Sequence, residues 1–142
     1  MLKKISPLIS PELLKILAEM GHGDEILLAD ANFPAHSCKA KHAVRADGIG
    51  IPALMEAILE LFPLDTFVEQ PAVMMNVVQG DDYVPEVWPE YFRILAKYGV
   101  GEKQVQRLDR YPYYDRADLT YCVAVSGETA RYGNIILKKG VI

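Results

Sequence analysis

The first residue whose type and setting could do chemistry is His22, in the stretch "EMGHGDEILLADANFP". An imidazole titrates near neutrality and is the commonest general acid or base. Gly21 and Gly23 flank it. Glycines permit unusual backbone angles and leave room for a ligand to come close. Two readings of His22 stand level. It is a proton-transfer group, or it is a turn histidine at a helix end, where the last carbonyls favour a cation. The apolar run after it closes on Asp30. A carboxylate at a strand end suits ligand binding in open α/β sheets. The same residue could equally open the next loop as an Asx turn.

Two segments near the far end of the chain add to this. "RYPYYDR" sets Arg110 among three tyrosines, and "RYGN" brings Tyr132, Gly133 and Asn134 to the mouth of an apolar run. Asp, Asn, Arg and Tyr supply directional hydrogen bonds for a polyol, and tyrosine faces suit its C–H surfaces. Singly, each is also an ordinary surface residue. "HSCKAKH" holds His36, Cys38 and His42, which are metal-ligand types. Their spacing follows no common zinc pattern, so they read as solvated loop residues, with a metal-dependent isomerase as the competing idea. A P-loop, a dinucleotide glycine fingerprint and a nucleophile elbow are all missing.

The elements that must position these residues alternate helix and strand. Ser10 and Pro11 open a helix over "SPELLKILAEMG", with Leu13, Leu14, Leu17 and Met20 at helical spacing and Gly21 as its stop. "GIPALMEAILELFP" predicts a second helix. "VPEVWPEYFRILAKYG" predicts a third, with an apolar stripe of Trp88, Phe92 and Leu95. Strands are expected over "EILLAD", "AVMMNVV", "QVQRLDR", "TYCVAVSG" and "NIILKKG", and a short helix or turn over "YPYYDRADL". Residues 31–47 show no period and read as one long loop, of a kind that is often functional. This order is an α/β pattern in one domain over 1–142.

Composition narrows the function classes. Of 142 residues, 51% are hydrophobic and 24% charged, with a formal net charge of -4. No basic block carries interleaved aromatics, so nucleic acid is a poor partner. No stretch approaches the ~20 apolar residues a membrane helix needs. The N-terminus lacks the long apolar run of a signal peptide. Cys38 and Cys122 stand far apart and form no CxxC pair, which suits a reducing cytoplasm.

"ISPLISPELLKILAEMGHGDEILLADANFPAHS", "VRADG" and "GETARYGNIILKKGV" together resemble the L-fucose mutarotase family, which is related to D-ribose pyranase. The resemblance runs the length of the chain and favours the fucose branch. It implies a three-layer α/β/α domain with a mixed central sheet. It implies an isomerase that exchanges the α and β anomers of a free monosaccharide, L-fucose foremost, without cofactor or metal. By this resemblance His22 is the proton donor, and Asp30, Arg110, Tyr132 and Asn134 hold the sugar with the Gly133 backbone; the acid–base chemistry of ring opening adds Tyr132 as a complementary proton-transfer group. A cytoplasmic, ring-shaped homodecamer of stacked pentamers is also implied, with sites near subunit boundaries. A ribose pyranase activity and a non-catalytic sugar-binding role are the alternatives.

Overall fold

A computed structural model describes residues 1–142. The elements run α1 (Pro11–Glu19), β1 (Glu25–Ala29), β2 (His42–Ala46), α2 (Ile51–Leu59), β3 (Ala72–Met75), α3 (Trp88–Lys97), β4 (Val105–Leu108), α4 (Arg110–Asp118), β5 (Cys122–Ser126) and β6 (Ile135–Lys138). A single 3₁₀ turn, Glu102–Gln104, leads into β4.

The six strands form one sheet in the order β2-β5-β1-β6-β3-β4. β1, β2 and β5 pair in parallel, as do β3 and β4. β6 lies antiparallel between β1 and β3. Five strands therefore point one way, and the mixed sheet rests on that one reversed strand. Every residue of β1, β3 and β5 is buried, as expected for strands covered on both faces.

Residues along each strand alternate between two cores because successive side chains point to opposite faces. Ile26, Leu28, Met74, Ala124 and Leu137 join a 28-residue core beneath α1, α2 and α3. Leu27, Val73, Val125 and Ile136 join an 11-residue core on the other face. That second face has only α4, through Tyr113 and Ala117, and the segment carrying Phe33 and Ala35. The result is three layers, α/β/α, of unequal thickness.

Several local expectations change in the folded chain. Residues 31–47 are not all loop, because His42–Ala46 pairs with β5 as an edge strand. Its sequence, HAVRA, is half-buried and mixed in character, so neither periodicity nor polarity marks it as a strand. The α3 stripe is rotated from the expected one. Tyr91, Ile94 and Leu95 are buried, while Trp88 and Phe92 stay partly exposed. Those two rings instead hold the Arg107 guanidinium, at 4.1 and 5.5 Å from their centroids. Strand β3 stops at Met75, and "YPYYDRADL" belongs to a full helix that already starts at Arg110.

The end of α1 also differs. Ser10 Oγ accepts the Leu13 N–H at 3.1 Å and caps the start as expected. At the other end Lys139 Nζ donates to the Leu17 and Met20 carbonyls at 2.8 and 2.5 Å. A cation there satisfies carbonyls that the helix leaves unpaired. The left-handed residue of this corner is Gly23, at φ +86°, and not Gly21.

Leu28 is fully buried in the centre of the sheet. Leu28→Ala removes packed methyl groups and leaves a cavity, at an expected cost of about 2–5 kcal/mol. A urea unfolding curve checks this through a lowered midpoint with unchanged slope.

Candidate active site

The reversed strand decides where the polar residues meet. β1 delivers Asp30 at its carboxyl end, and β4 delivers Arg110. β6 runs the other way, so its amino end lies at that same sheet edge. Tyr132 and Asn134 thus arrive beside Asp30 from a segment more than a hundred positions away. Asp30, Asn32, Arg110, Tyr114, Tyr132 and Asn134 line a cavity of about 260 Å³. That is near the lower end of the ~300–1,000 Å³ usual for small-molecule sites. A second, larger hollow of about 700 Å³ adjoins it and shares Val78 and Arg110.

Asp30 and Asn134 form the rigid floor. The Asp30 N–H donates to Asn134 Oδ1 at 2.8 Å, and Asn134 Nδ2 donates to Asp30 Oδ2 at 2.6 Å. A backbone N–H can only donate, so it fixes which way the amide faces. The other carboxylate oxygen, Oδ1, accepts the Asn32 N–H at 2.8 Å. An ionised carboxylate has about four acceptor positions. Two are filled here, and the rest can take ligand hydroxyls. Asp30 is only 9% exposed and Asn134 6%, so the geometry is held by packing.

Tyr132 is held under strain. Its φ is +58°, a left-handed angle for a residue with a Cβ. Helix α3 fixes the turn from behind. Trp88 Nε1 donates to the Tyr132 carbonyl at 2.9 Å, and the buried Tyr91 hydroxyl donates to the Gly133 carbonyl at 2.7 Å. Gly133 has no space for a side chain, since a Cβ there would meet the Ala130 carbonyl oxygen at 2.9 Å. Contrary to expectation, Gly133 does not line the cavity. Its carbonyl faces Tyr91, and it serves the turn that aims its neighbours.

The Tyr132 hydroxyl donates to Asp81 Oδ2 at 2.7 Å. That bond raises the Tyr132 pKa above the ordinary phenol value, with burial adding to it. The same bond, with help from the Tyr83 N–H, lowers Asp81 below the usual carboxylate value. Arg110 begins α4 and is exposed, with its guanidinium 6.0 Å from the Tyr114 ring.

His22 is not in this cavity. It precedes β1, at the opposite edge of the sheet from Asp30. Five strand residues alone separate those edges by roughly 17 Å. His22 Nε2 lies 3.3 Å from Oδ1 of the buried Asp65, and its ring packs 5.4 Å from that of Phe67. Phe67 is 74% exposed, and its N–H donates to the same Asp65 oxygen at 2.9 Å. β1 therefore does not bring Asp30 and His22 into one pocket within a single chain. No group of three His, Cys, Asp or Glu side chains comes together in a way that could hold a metal ion. His36 is exposed, whereas His42 lies on β2 with its ring 4.9 Å from Tyr121.

Sequence reasoning missed Asp65, Asp81, Trp88 and Tyr91. The "GDD" turn before α3 was the one available pointer to Asp81, and it is too common to single out. The other three act through contacts from distant segments.

A mixed α/β sheet with a compact polar cavity at its carboxyl edge is an architecture suited to a small-molecule ligand. The chain belongs to the RbsD / FucU transport protein family, which it matches over residues 3–142. It is 53% identical over 141 residues to the L-fucose mutarotase of Actinobacillus pleuropneumoniae serotype 5b (strain L20), covering 99% of this chain and 97% of the relative. Among solved structures it is similar to the fucose mutarotase from Streptococcus pneumoniae in complex with L-fucose. There the TM-score is 0.94 with 48% identity, and 99% of each chain is covered. Bacillus subtilis RbsD complexed with D-ribose shares the fold, at TM-score 0.77 and 20% identity over 100% of this chain and 99% of that one.

Asn134→Ala removes the acceptor of the buried Asp30 N–H. The expected cost is about 1–3 kcal/mol, the usual penalty for orphaning a buried donor. Chemical denaturation checks it, and sugar affinity falls in the same variant.

Proposed function

We propose that this chain exchanges the α and β anomers of free L-fucose by opening and reclosing the sugar ring, without cofactor or metal. The single observation that carries this is the convergence of Asp30, Asn134, Tyr132 and Arg110 on one sugar-sized cavity. The similarity to curated L-fucose mutarotases over nearly the whole chain supports the choice of sugar. The reaction needs one acid and one base. Positioned side chains of this kind supply about 10²–10⁴-fold.

In this reading the free acceptor positions of Asp30 and the Asn134 amide hold sugar hydroxyls. The Arg110 cation steadies negative charge developing on O1. Tyr132 exchanges a proton with the sugar. His22 donates to the ring oxygen, and it does so from a neighbouring copy. Its place on the opposite sheet edge leaves it out of its own chain's pocket. With Nε2 held by Asp65, Nδ1 is the nitrogen free to reach a ligand. A head-to-tail ring is one assembly in which every pocket meets a neighbour's His22. A cytoplasmic decamer of two stacked rings is the form we assign.

NMR saturation transfer between sugar anomers tests the function. The expected result is fast exchange for L-fucose and slower exchange for D-ribose; exchange at the uncatalysed rate for both would reject it. His22→Ala is expected to lower the fucose rate about 10²–10⁴-fold while the fold survives. Joint refolding of His22→Ala chains with equal Tyr132→Phe chains tests the shared site. Random mixing gives about a quarter of the pockets both intact halves in a head-to-tail ring. Recovery of about a quarter of the wild-type activity is expected, and no recovery would place both groups in one chain.

A further inference from the structure

Asp81 stands behind the cavity wall, on the segment between β3 and α3, and the acid and base roles above leave it unused. Its Oδ2 accepts the Tyr132 hydroxyl at 2.7 Å and Arg131 Nη1 at 3.2 Å. Its Oδ1 accepts the Tyr83 N–H at 3.0 Å. The carboxylate is thus fixed from three sides. A phenol has one proton and two acceptor positions. The Tyr132 proton is committed to Asp81, and the Val78 N–H approaches one lone pair at a long 3.4 Å. Tyr132 lines the cavity, and its other lone pair is what the hydroxyl has left to offer a ligand. It can accept a proton from a ligand there but has none to give. The left-handed turn at Tyr132, clamped by Trp88 and Tyr91, fixes the backbone from which the ring reaches Asp81.

We propose that Asp81 is a positioning residue for the reaction, and that it makes Tyr132 the base half of the acid–base pair by taking up the tyrosine proton. This rests on the reading of the cavity as a site of anomer exchange. In ring opening, the O1–H proton passes to Tyr132 Oη as the Tyr132 proton passes to Asp81 Oδ2. The C1–O1 bond becomes a double bond and the C1–O5 bond breaks. Its electron pair goes to O5, which takes the proton of the His22 imidazolium. Reclosure on the other face of C1 runs the same transfers backwards. Asp81 returns its proton through Tyr132 to O1, and His22 recovers the one on O5.

The test uses Asp81→Asn, which keeps size and some hydrogen bonding, with Asp81→Ser as a second variant. The fucose exchange rate is measured by saturation transfer over a range of sugar concentrations. For both variants the rate at saturating sugar is expected to fall about 10²-fold, on the scale of one lost proton-transfer group. The half-saturating concentration stays within about twofold, since Asp81 does not touch the sugar. In a Tyr132→Phe background, Asp81→Asn adds no further loss, because residues acting as one unit are non-additive. The ¹³Cζ resonance of Tyr132 shifts in Asp81→Asn, reporting the altered phenol hydrogen bond. Rates within twofold of wild type, losses that multiply in the double variant, or a weakened sugar affinity with an unchanged maximal rate would each overturn the proposal. A wild-type chain that accelerates exchange while Asp81→Asn matches it rejects only this inference. A wild-type chain without exchange activity rejects the underlying function as well.

Discussion

One reversed strand organises the molecule. β6 sits between β1 and β3 and runs against both. Its amino end therefore opens on the edge where the other five strands finish. That is how Asn134 comes to bond both the backbone and the side chain of Asp30. Its carboxyl end does the complementary task. Lys139 closes the last turn of α1, and the Lys139 carbonyl accepts the Gly23 N–H at 2.8 Å. A parallel β6 would need a crossover connection and would deliver "RYGN" to the wrong edge.

The cavity built on this strand has a stiff floor and a strained wall. The Asp30–Asn134 pair is buried and has its hydrogen bonds in place, so it costs little to keep. Tyr132 is different. Its left-handed backbone is tolerated because α3 grips the two carbonyls around it. Strain at such a point persists only where its surroundings over-determine it. The supporting groups, Trp88 and Tyr91, come from a helix that also packs Ile94 and Leu95 into the core. The rotation of the α3 stripe away from the simple apolar pattern has that cause. Tyr91 is buried to reach Gly133, and Trp88 is drawn out to reach Tyr132 and Arg107.

The two sheet edges carry different chemistry. One holds the polar cavity floored by Asp30 and Asn134. The other presents His22 on a buried carboxylate, beside the exposed Phe67 ring. An imidazole held by Asp65 and left half open has the form of a group offered outward. An exposed aromatic next to it suits contact with another surface. The two polar edges of one chain lie too far apart to meet each other within it.

Much of this was legible in the residues alone. Helical spacing and capping marked α1 and α2, and continuous apolar runs marked β1, β3 and β5. The wording around His22 and "RYGN" carried the family and its polar residues. These are local signals, set by periodicity, capping chemistry and side-chain type. The edge strand His42–Ala46 was hidden because its partner β5 lies some eighty positions away, and nothing in HAVRA alone demands pairing. The sequence by itself determined which side chains are available and that Asp30 ends a buried strand. Only the tertiary structure decided which of them meet. Strand direction and strand order put Asp30 with Asn134 and Tyr132, brought Asp81 behind Tyr132, and sent His22 to the far edge with Asp65. Those pairings depend on contacts between distant segments, which no local pattern encodes.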